Sequence, residues 1–326
     1  MRFAGVAIVR NESDIIEAFV RHNASVLDRL YIVDNGSSDA TAEILRRLAA
    51  SGLPLTLTHD EGIAYYQGSK TTALIKTAFE DEPWDCLFPL DGDEFLVAPD
   101  RAALEAEIAG LPPGEVGLLV PDHYAPLDSD EAGEPDPVRR IAHRTASLPA
   151  QPLFHGKVIV PQALAYSPGV AISEGNHHIV TGNRRAPERW LVAARVAHFP
   201  VRSAEQFLAK VVTTRLAWLA RGDYRASLGS HVAIFYDQLR DRPEITAERL
   251  LDAAFIYLDT YLGPHRRDYQ RQLIRDPVER GGGALQYLEL ARISALPRIL
   301  DFAEQMAKQL GQTDPAVLSG KPGTSA

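Results

Sequence analysis

The first hundred residues alternate between two hydrophobic periods, and this alternation constrains the fold more than any other feature of the chain. Short apolar runs rich in β-branched residues predict strands, and the amphipathic stretches between them predict helices. The predicted strands are 3–9, 30–33, 53–59 and 85–90, and the predicted helices begin near residues 13, 41 and 69. Repeated strand–helix units are typical of a parallel sheet with helices on both faces. We therefore predict an α/β fold with a mostly parallel sheet.

The chain after residue 115 predicts a less regular region and then a helical one. Further strands are predicted at Val116–Val120, Lys157–Val160 and Trp190–His198, and residues 123–140 are a predicted loop. We predict three parts: an α/β domain over 1–200, a helical C-terminal region packed on it over 201–310, and a disordered tail over 311–326. The tail is polar and rich in proline and glycine, a composition that does not bury enough apolar surface to fold.

Capping residues predict two helix starts. Ser13 or Asp14 can cap the first helix, and Ser203 with Gln206 matches a capping box. The helix after Ser203 is expected to bury one apolar face, made of Leu208, Val211, Val212, Leu216 and Leu219.

Composition excludes some classes of protein. The formal net charge of −9 argues against a general nucleic-acid binder, which is usually basic. The single cysteine, Cys86, allows no intramolecular disulfide, which fits a reducing compartment. The sequence has no apolar run near the roughly 20 residues that a transmembrane helix needs, and its N-terminus does not match a signal peptide. A cytoplasmic protein is the resulting expectation.

Polar clusters follow three predicted strands, at the sheet edge where α/β proteins bind ligands. Arg10-Asn11-Glu12 follows the first strand, Asp34 the second and Asp91-Gly92-Asp93-Glu94 the fourth. In an extended chain Asp91 and Asp93 point to the same side, and two such carboxylates are costly without a cation between them. Their hard oxygen atoms suit Mg²⁺ or Mn²⁺, which also bind substrate phosphates. An exposed acidic turn is the alternative, but the apolar residues on both sides favour a metal site.

Several motifs together resemble a known family. The segments "VAIVRNESDIIEAFVRHN", "YIVDNGSSDATAEIL", "PLDGDEFL", "EGNHHIV" and "VAHFPVRSAEQFLAKV" are similar to those of family-2-type glycosyltransferases with the GT-A fold. The closest subgroup is the one with Asp-x-Asp-Glu-Phe and Gly-Asn-His-His motifs. The likeness covers roughly residues 3–212, and its strength comes from five short motifs in the right order. It implies that the α/β domain binds a nucleotide-sugar and transfers the sugar to a glycan or other hydroxyl acceptor.

The resemblance also implies roles for single residues. Asp91 and Asp93 match the motif that holds a divalent metal on the pyrophosphate, and His198 matches a late histidine that completes the metal or pyrophosphate site. Asp34 matches a residue that contacts the base or ribose, and Asn11 and Glu12 match residues that line the nucleotide pocket. The other candidates for binding the nucleotide-sugar are cationic: Lys70, Lys157 and Arg202. Lys157 and Arg202 are candidates for contacts with phosphate or acceptor, and a solvated surface role is the alternative for each.

An inverting transferase needs a general base near the acceptor hydroxyl. Glu174 and Asp122 are the acidic candidates, and Glu174 is favoured because it adjoins the Gly-Asn-His-His motif. His177 is a further catalytic candidate. His177 and His178 would point to opposite faces of a strand, so only one of them is expected to face the site.

Two other functions remain open. A phosphohydrolase can use Asp-x-Asp as nucleophile and acid, but it carries this motif after its first strand, not its fourth. A non-catalytic nucleotide-sugar binding module would keep Asp34 without needing Asp91, Asp93 and a late histidine together.

Overall fold

The computed structural model describes residues 1–64, 66–127, 133–145, 155–182, 184–221, 230–262 and 271–311, with the backbone alone at 230, 260–262 and 311. Its main sheet contains β1 (Phe3–Val9), β2 (Arg29–Asp34), β3 (Leu55–His59), β4 (Cys86–Asp91) and β9 (Val160–Pro161). The order is β3-β2-β1-β4-β9, with the first four strands parallel and β9 antiparallel to β4. The predicted α/β fold with a mostly parallel sheet is confirmed.

Helices cover both faces of this sheet. They are α1 (Ile16–Asn23), α2 (Thr41–Ala50) and α3 (Gln67–Asp81). Successive residues of β1 point to opposite faces. Phe3 accordingly belongs to the core that contains Phe19 of α1 and Ile44 of α2, whereas Val6 belongs to the core that contains Ile75 of α3. Each face of the sheet is thus buried by its own helices, as the alternating periods predicted.

A second sheet brings the late strand of the chain to the Asp-x-Asp turn. It consists of β5 (Glu94–Val97), β6 (Val116–His123), β8 (Lys157–Val158) and β13 (Glu188–His198), in the order β5-β13-β6-β8. Strand β13 pairs antiparallel with β5, so that His198 lies opposite Glu94. The end of β13 therefore lies next to Asp93.

The middle of the chain contains short elements that the sequence did not separate. They are α4 (Arg101–Ala109), α5 (Pro137–Arg140), β7 (His143–Thr145), α6 (Gln162–Ala165), β10 (Val170–Ile172), β11 (Ile179–Thr181) and β12 (Arg184–Arg185). The loop predicted over 123–140 is wrong at both ends. His123 belongs to β6, and α5 begins at Pro137 after Asp136, whose Oδ1 accepts a 3.0 Å hydrogen bond from the backbone N–H of Val138. Helix α5 is a single turn, which is too short to show a hydrophobic period in the sequence.

The C-terminal region is mostly helical, as predicted. It contains α7 (Ala204–Leu219), α8 (Ser230–Asp241), α9 (Ala247–Leu262), β14 (Leu273–Arg275) and α10 (Ala295–Gly311). Strand β14 was not predicted; it pairs with β7 of the preceding region. The predicted tail lies outside the described residues except Gly311, which ends α10. None of the described helices is long and apolar enough to cross a membrane.

Of the two predicted helix caps, the first is wrong and the second is correct. Helix α1 has no side-chain cap, because Ser13 and Asp14 instead accept hydrogen bonds from Arg298 and Arg202. In α7, Ser203 caps the helix as predicted: its Oγ accepts a hydrogen bond from Gln206 N at 3.2 Å.

The predicted apolar face of α7 is only partly correct. Val211 is buried, but Leu219 is 49% exposed. One face of α7 packs Phe207 and Val211 into the core beneath the helix. A second face, with Ala209 and Ala217, lines a cavity. A helix with two buried faces has no single hydrophobic stripe. The hydrophobic period alone therefore predicted the wrong set of buried residues.

Candidate active site

A cavity of about 630 Å³ opens where the order of the main sheet reverses. From β1 the chain adds β2 and β3 on one side and then β4 on the other side, so β1 and β4 flank the reversal. Val9 at the end of β1 and Asp91 at the end of β4 both line the cavity. Open α/β sheets bind ligands at such a switch point, outside the carboxyl ends of the strands.

Asp91 is the last residue of β4, and its carboxylate is 26% exposed. Its Oδ2 lies 2.7 Å from Lys157 Nζ, and its Oδ1 accepts hydrogen bonds from the side-chain amides of Gln67 and Asn176. Asp91 is therefore a fixed anion at the end of the strand, with part of its surface turned to the cavity.

Asp93 lies in the turn between β4 and β5 and is almost fully buried, although it lines the cavity. Its Oδ1 is 3.4 Å from His198 Nε2, and its Oδ2 accepts a hydrogen bond from Lys210 and lies 3.5 Å from Arg202. Burial opposes ionisation of Asp93, but Lys210, His198 and Arg202 outweigh it and hold its pKa well below the usual range. Asp93 is thus charged at neutral pH.

Two predicted phosphate contacts lie beneath the cavity wall, where they hold carboxylates. Lys157 is 1% exposed, and its Nζ is within 2.7 Å of both Asp91 and Glu94 and 2.9 Å from the carbonyl oxygen of Gly175. The contacts with Asp91 and with the carbonyl oxygen of Gly175 are hydrogen bonds, and the contact with Glu94 is an ion pair.

Arg202 is equally enclosed, with a side chain that is 1% exposed. It donates to Glu12, to Asp14 at 2.6 Å and to the carbonyl oxygen of Phe199 at 3.0 Å. Glu12 and Arg202 form a buried ion pair. Burial raises the pKa of Glu12, although the charge of Arg202 acts in the opposite direction. Lys157 and Arg202 position the acidic residues rather than reach into the cavity.

The wall near β1 and β2 contains amides. Asn11, at a positive φ of 55°, accepts a 2.8 Å hydrogen bond from Ser38 N. Asp34 is 2% exposed and accepts from His59 Nδ1 at 3.0 Å, and the side chain that reaches the cavity is that of its neighbour Asn35. Lys70 also lines the cavity and donates to Asn35 and, at 2.7 Å, to Asp60.

Helix α10 closes the same side of the cavity. Phe302 is 1% exposed and packs with Ile63 and Ala217, and the guanidinium carbon of Arg10 lies 4.5 Å from its ring centroid. Burial lowers the pKa of Arg10 to about 10, which leaves it charged at neutral pH. Arg298 donates to the carbonyl oxygen of Asn11 at 3.1 Å. The C-terminal region thus contributes directly to the wall.

The two acidic candidates for a general base lie in different places. Glu174 lines the cavity, and its carboxylate accepts from Gly68 N at 2.9 Å and from Arg221 at 2.6 Å. Asp122 is 3% exposed and is ion-paired with Arg195 at 2.7 Å in the second sheet. Of the two, only Glu174 belongs to the cavity wall.

Both adjacent histidines line the cavity, contrary to the expectation that one would face away. They precede β11 instead of lying within a strand, so the alternation of a strand does not apply. His177 Nδ1 lies 2.9 Å from the carbonyl oxygen of Gly156, an acceptor, so Nδ1 carries the proton and Nε2 the lone pair. Burial, with Lys157, lowers the pKa of His177 well below its usual range and keeps it neutral.

Several wall residues were missed from the sequence. They are His155, Lys210, Thr213, Trp218, His231, Tyr257, Arg298 and Phe302. Lys210 had a usable signal, because a lysine four residues after Gln206 lies on the same helical face as that capping residue. Arg298 and Phe302 had none, since nothing local indicates that α10 packs against β1.

The cavity wall offers part of the ligand set that a divalent metal needs. Asp91, Asp93 and His198 all line the cavity, but within the described ranges no three or more His, Cys, Asp or Glu side chains are grouped to hold a metal ion. Asp93 Oδ1 and His198 Nε2 face each other across 3.4 Å. Mg²⁺ and Mn²⁺ often use one or two carboxylates and take their other ligands from phosphates and water. The donor set fits such a partial site, which a diphosphate would complete.

No protein-family model and no curated protein matches the chain. Among solved structures, it is similar to S. aureus TarS 1-349, with 13% identity over 96% of this chain and 93% of that chain, at a TM-score of 0.34. The chain spans 44% of a longer TarS structure.

Two further solved structures are similar to the chain. One is the mannosyltransferase PcManGT from Pyrobaculum calidifontis in complex with GDP-Man and Mn²⁺, with 15% identity over 94% of this chain and 87% of that chain, at a TM-score of 0.36. The other is glucosyl-3-phosphoglycerate synthase from Mycobacterium tuberculosis with Mn²⁺, UDP and glucosyl-3-phosphoglycerate, with 18% identity over 37% and 44% of the two chains, at a TM-score of 0.26. Likenesses this distant carry no argument about function, which must come from the cavity itself.

Proposed function

We propose that the chain is a GT-A glycosyltransferase that moves a sugar from a nucleotide-sugar donor to an acceptor hydroxyl. The observation that carries this proposal is the position of Asp91 and Asp93, at the switch point of a parallel sheet and on the wall of a 630 Å³ cavity. A cavity of this size accommodates a nucleotide-sugar. Each of the five motifs that resemble the family contributes residues to this wall.

The cavity wall suggests an orientation for the donor. The nucleoside lies toward Asn11, Asn35 and Phe302, where amide groups and an aromatic ring adjoin. Its diphosphate lies toward Asp93 and Lys210. The sugar and the acceptor then occupy the end with Glu174 and His177. Asp34 acts indirectly in this orientation, through the turn that presents Asn35 and through His59.

Asp93 and His198, with Asp91 beside them, are the residues that would hold Mn²⁺ or Mg²⁺ in this reaction. The metal would stabilise the negative charge that develops on the leaving diphosphate. Lys157 fixes Asp91, and Arg202 fixes Glu12, so that these groups need little reorganisation when the donor binds.

An inverting reaction is the mechanism we infer, with His177 as the residue that takes the proton of the acceptor hydroxyl. His177 lines the cavity and is neutral with its proton on Nδ1, so Nε2 is the ring nitrogen that would take a proton. The two oxygens of Glu174 accept hydrogen bonds from Gly68 N and Arg221. Glu174 then serves to fix Arg221 and the start of α3.

A screen of sugar nucleotides with Mn²⁺ tests the proposed function. A ligand at 100 times its dissociation constant adds about 2.7 kcal/mol to the free energy of unfolding, so the true donor should raise the melting temperature measurably. The same donor should release nucleoside diphosphate slowly with water as acceptor, and only when Mn²⁺ or Mg²⁺ is present.

The screen separates the proposed function from its alternatives. Binding of a sugar nucleotide without any release of nucleoside diphosphate would identify a non-catalytic binding module. Hydrolysis of simple phosphate monoesters would identify a phosphohydrolase. A chain that neither binds nor consumes any sugar nucleotide would refute the proposal.

A further inference from the structure

Lys210 differs from the other lysine that neutralises the Asp-x-Asp motif. Lys157 is enclosed by Asp91, Glu94 and a carbonyl oxygen, and its side chain is 1% exposed. Lys210 is 27% exposed and lines the cavity, and in the described part of the chain it makes one hydrogen bond, to Asp93. Since an ammonium carries three N–H donors, Lys210 keeps donor capacity for a ligand in the cavity.

Lys210 is paired with the carboxylate of Asp93, which a metal would also need as a ligand. It pairs with Oδ2 of Asp93, while Oδ1 faces His198 at 3.4 Å. Lys210 is an ammonium at neutral pH, as lysines ordinarily are, and its Nζ is ion-paired with Asp93. A divalent cation that binds Asp93 alone therefore meets a like charge at hydrogen-bonding distance from its ligand, which weakens its binding.

A diphosphate changes this balance. Its oxygen atoms are acceptors for the ammonium and ligands for the metal, so one anion can satisfy both cations. Lys210 belongs to α7, and it lines the cavity together with Ala209 and Thr213 of the same helix.

We propose that Lys210 couples metal binding to donor binding. Without a diphosphate, the ammonium neutralises Asp93 and opposes the metal. With a diphosphate, it pairs with a phosphate oxygen and leaves Asp93 to the metal. The identity of the diphosphate as part of a nucleotide-sugar rests on the proposed function; the opposition between Lys210 and the metal at Asp93 does not. Because coupling is reciprocal, the metal and the diphosphate should each increase the affinity of the other, by about 10-fold or more.

The test is a titration of Mn²⁺ alone, with free Mn²⁺ measured by electron paramagnetic resonance. Lys210→Met should bind Mn²⁺ about 10-fold more tightly than the wild type, because a like charge has been removed. Lys210→Arg keeps the charge and should stay near the wild type. Lys70→Met is the matched control: it removes a cation of the same cavity that is paired with Asp60, and it should leave the affinity for Mn²⁺ alone much less changed.

The second arm adds UDP, GDP, ADP or CDP, with correction for Mn²⁺ bound to the nucleotide in solution. In the wild type the matching nucleotide should tighten Mn²⁺ binding about 10-fold or more, and in Lys210→Met most of this gain should disappear. Melting temperatures confirm that each variant is folded. Lys210→Gln replaces Lys210→Met if the latter does not fold, and the wild-type coupling is measured in any case.

Two results would overturn the inference. One is a neutral residue at position 210 that binds Mn²⁺ alone no more tightly than lysine does. The other is a wild type whose affinity for Mn²⁺ is the same with and without each of the four nucleotides. The proposed function fails on a different result, namely that no sugar nucleotide is bound or consumed, so the two failures are distinguishable.

Discussion

Each carboxylate on the wall of the cavity is held by its own basic residue. The pairs are Glu12–Arg202, Asp91–Lys157, Asp93–Lys210 and Glu174–Arg221. The sequence predicts a metal cation between Asp91 and Asp93. The chain itself also provides a lysine for each of them, so their mutual repulsion is offset before any ligand binds.

This pairing predicts different effects for the two aspartates. Asp93→Asn should lower the free energy of unfolding by about 3 kcal/mol, the lower end of the cost of removing one partner of a buried ion pair, since Lys210 keeps some exposure. Asp91→Asn should lower the free energy of unfolding by less, because Lys157 stays ion-paired with Glu94. Urea denaturation measures both. Equal stability losses would contradict this account, whatever happens to activity.

The second residue-scale prediction concerns the base. His177→Gln should lower kcat for transfer by roughly 100-fold or more and leave donor binding nearly unchanged, as expected for loss of a general base. Glu174→Gln should lower kcat less, because Gln can still accept a hydrogen bond from Gly68 N. Steady-state kinetics with the donor found by the screen would decide. A full kcat in His177→Gln beside a large loss in Glu174→Gln would reverse the assignment.

At the scale of elements, the chain from 276 to 287 forms a strap that ties the C-terminal region to α1. Glu17 of α1 is 5% exposed and accepts 2.8 Å hydrogen bonds from the backbone N–H groups of Gln286 and Tyr287. Gly281 N donates to His22 Nδ1 at 3.2 Å. The strap therefore attaches to α1 through backbone groups, which requires close approach of the two chain segments.

Gly282 packs against the backbone of α1 and supplies the third prediction. It has a φ of +79°, and a Cβ there would lie 2.2 Å from the carbonyl oxygen of Arg21. Gly283 has a similar φ of +78°, but a Cβ there would meet no atom of the described residues within 4 Å. Gly283→Ala should lower the free energy of unfolding by about 1 kcal/mol, because the left-handed backbone disfavours alanine. Gly282→Ala should lower it by about 1–3 kcal/mol more, because its Cβ would also clash with α1.

Thermal or urea unfolding of the two alanine variants makes this comparison directly, since each serves as the control for the other. Equal losses of stability would mean that the strap moves away from α1 at little cost. The close contact at Gly282 would then not be what fixes the strap.

At the scale of the whole molecule, buried neutral histidines tie stability to pH. His22 donates through Nε2 to the carbonyl oxygen of Leu96 at 2.9 Å and accepts through Nδ1 from Gly281, so it must stay neutral to keep both bonds. Burial lowers its pKa in the folded protein. The pKa values of His123 and His177 are lowered as well, also by burial.

The fourth prediction follows from these shifts. Protonation of such histidines favours the unfolded chain, whose histidines titrate near about 6.5. Their contribution to stability is present above that pH and is lost as the pH falls below it toward the lowered pKa of the folded state. The free energy of unfolding should therefore decrease between pH 7.5 and 5.5 in urea titrations. His22→Gln, which keeps a donor and an acceptor, should show a smaller decrease, and an unchanged pH dependence would exclude His22 as a contributor.

The sequence by itself determined the α/β class and the place of the acidic motif. The order of strands and helices through β4 follows from hydrophobic periods within short segments, and such local signals need no knowledge of distant residues. The position of Asp91 and Asp93 after a buried strand placed them at the ligand-binding edge for the same reason. The strand–helix repetition predicted helices on both faces of the sheet, and Phe3 and Val6 accordingly pack into separate cores.

The tertiary structure alone decided which side chains complete the site. Lys210 lies 117 positions after Asp93, and Arg298 lies 287 positions after Asn11. Lys157 and Arg202 were predicted to contact phosphates, yet packing placed them under the wall as counter-ions of Asp91 and Glu12. The pairing of charges depends on distances between residues far apart in the chain, and these distances exist only once the sheets, α7 and α10 have packed together.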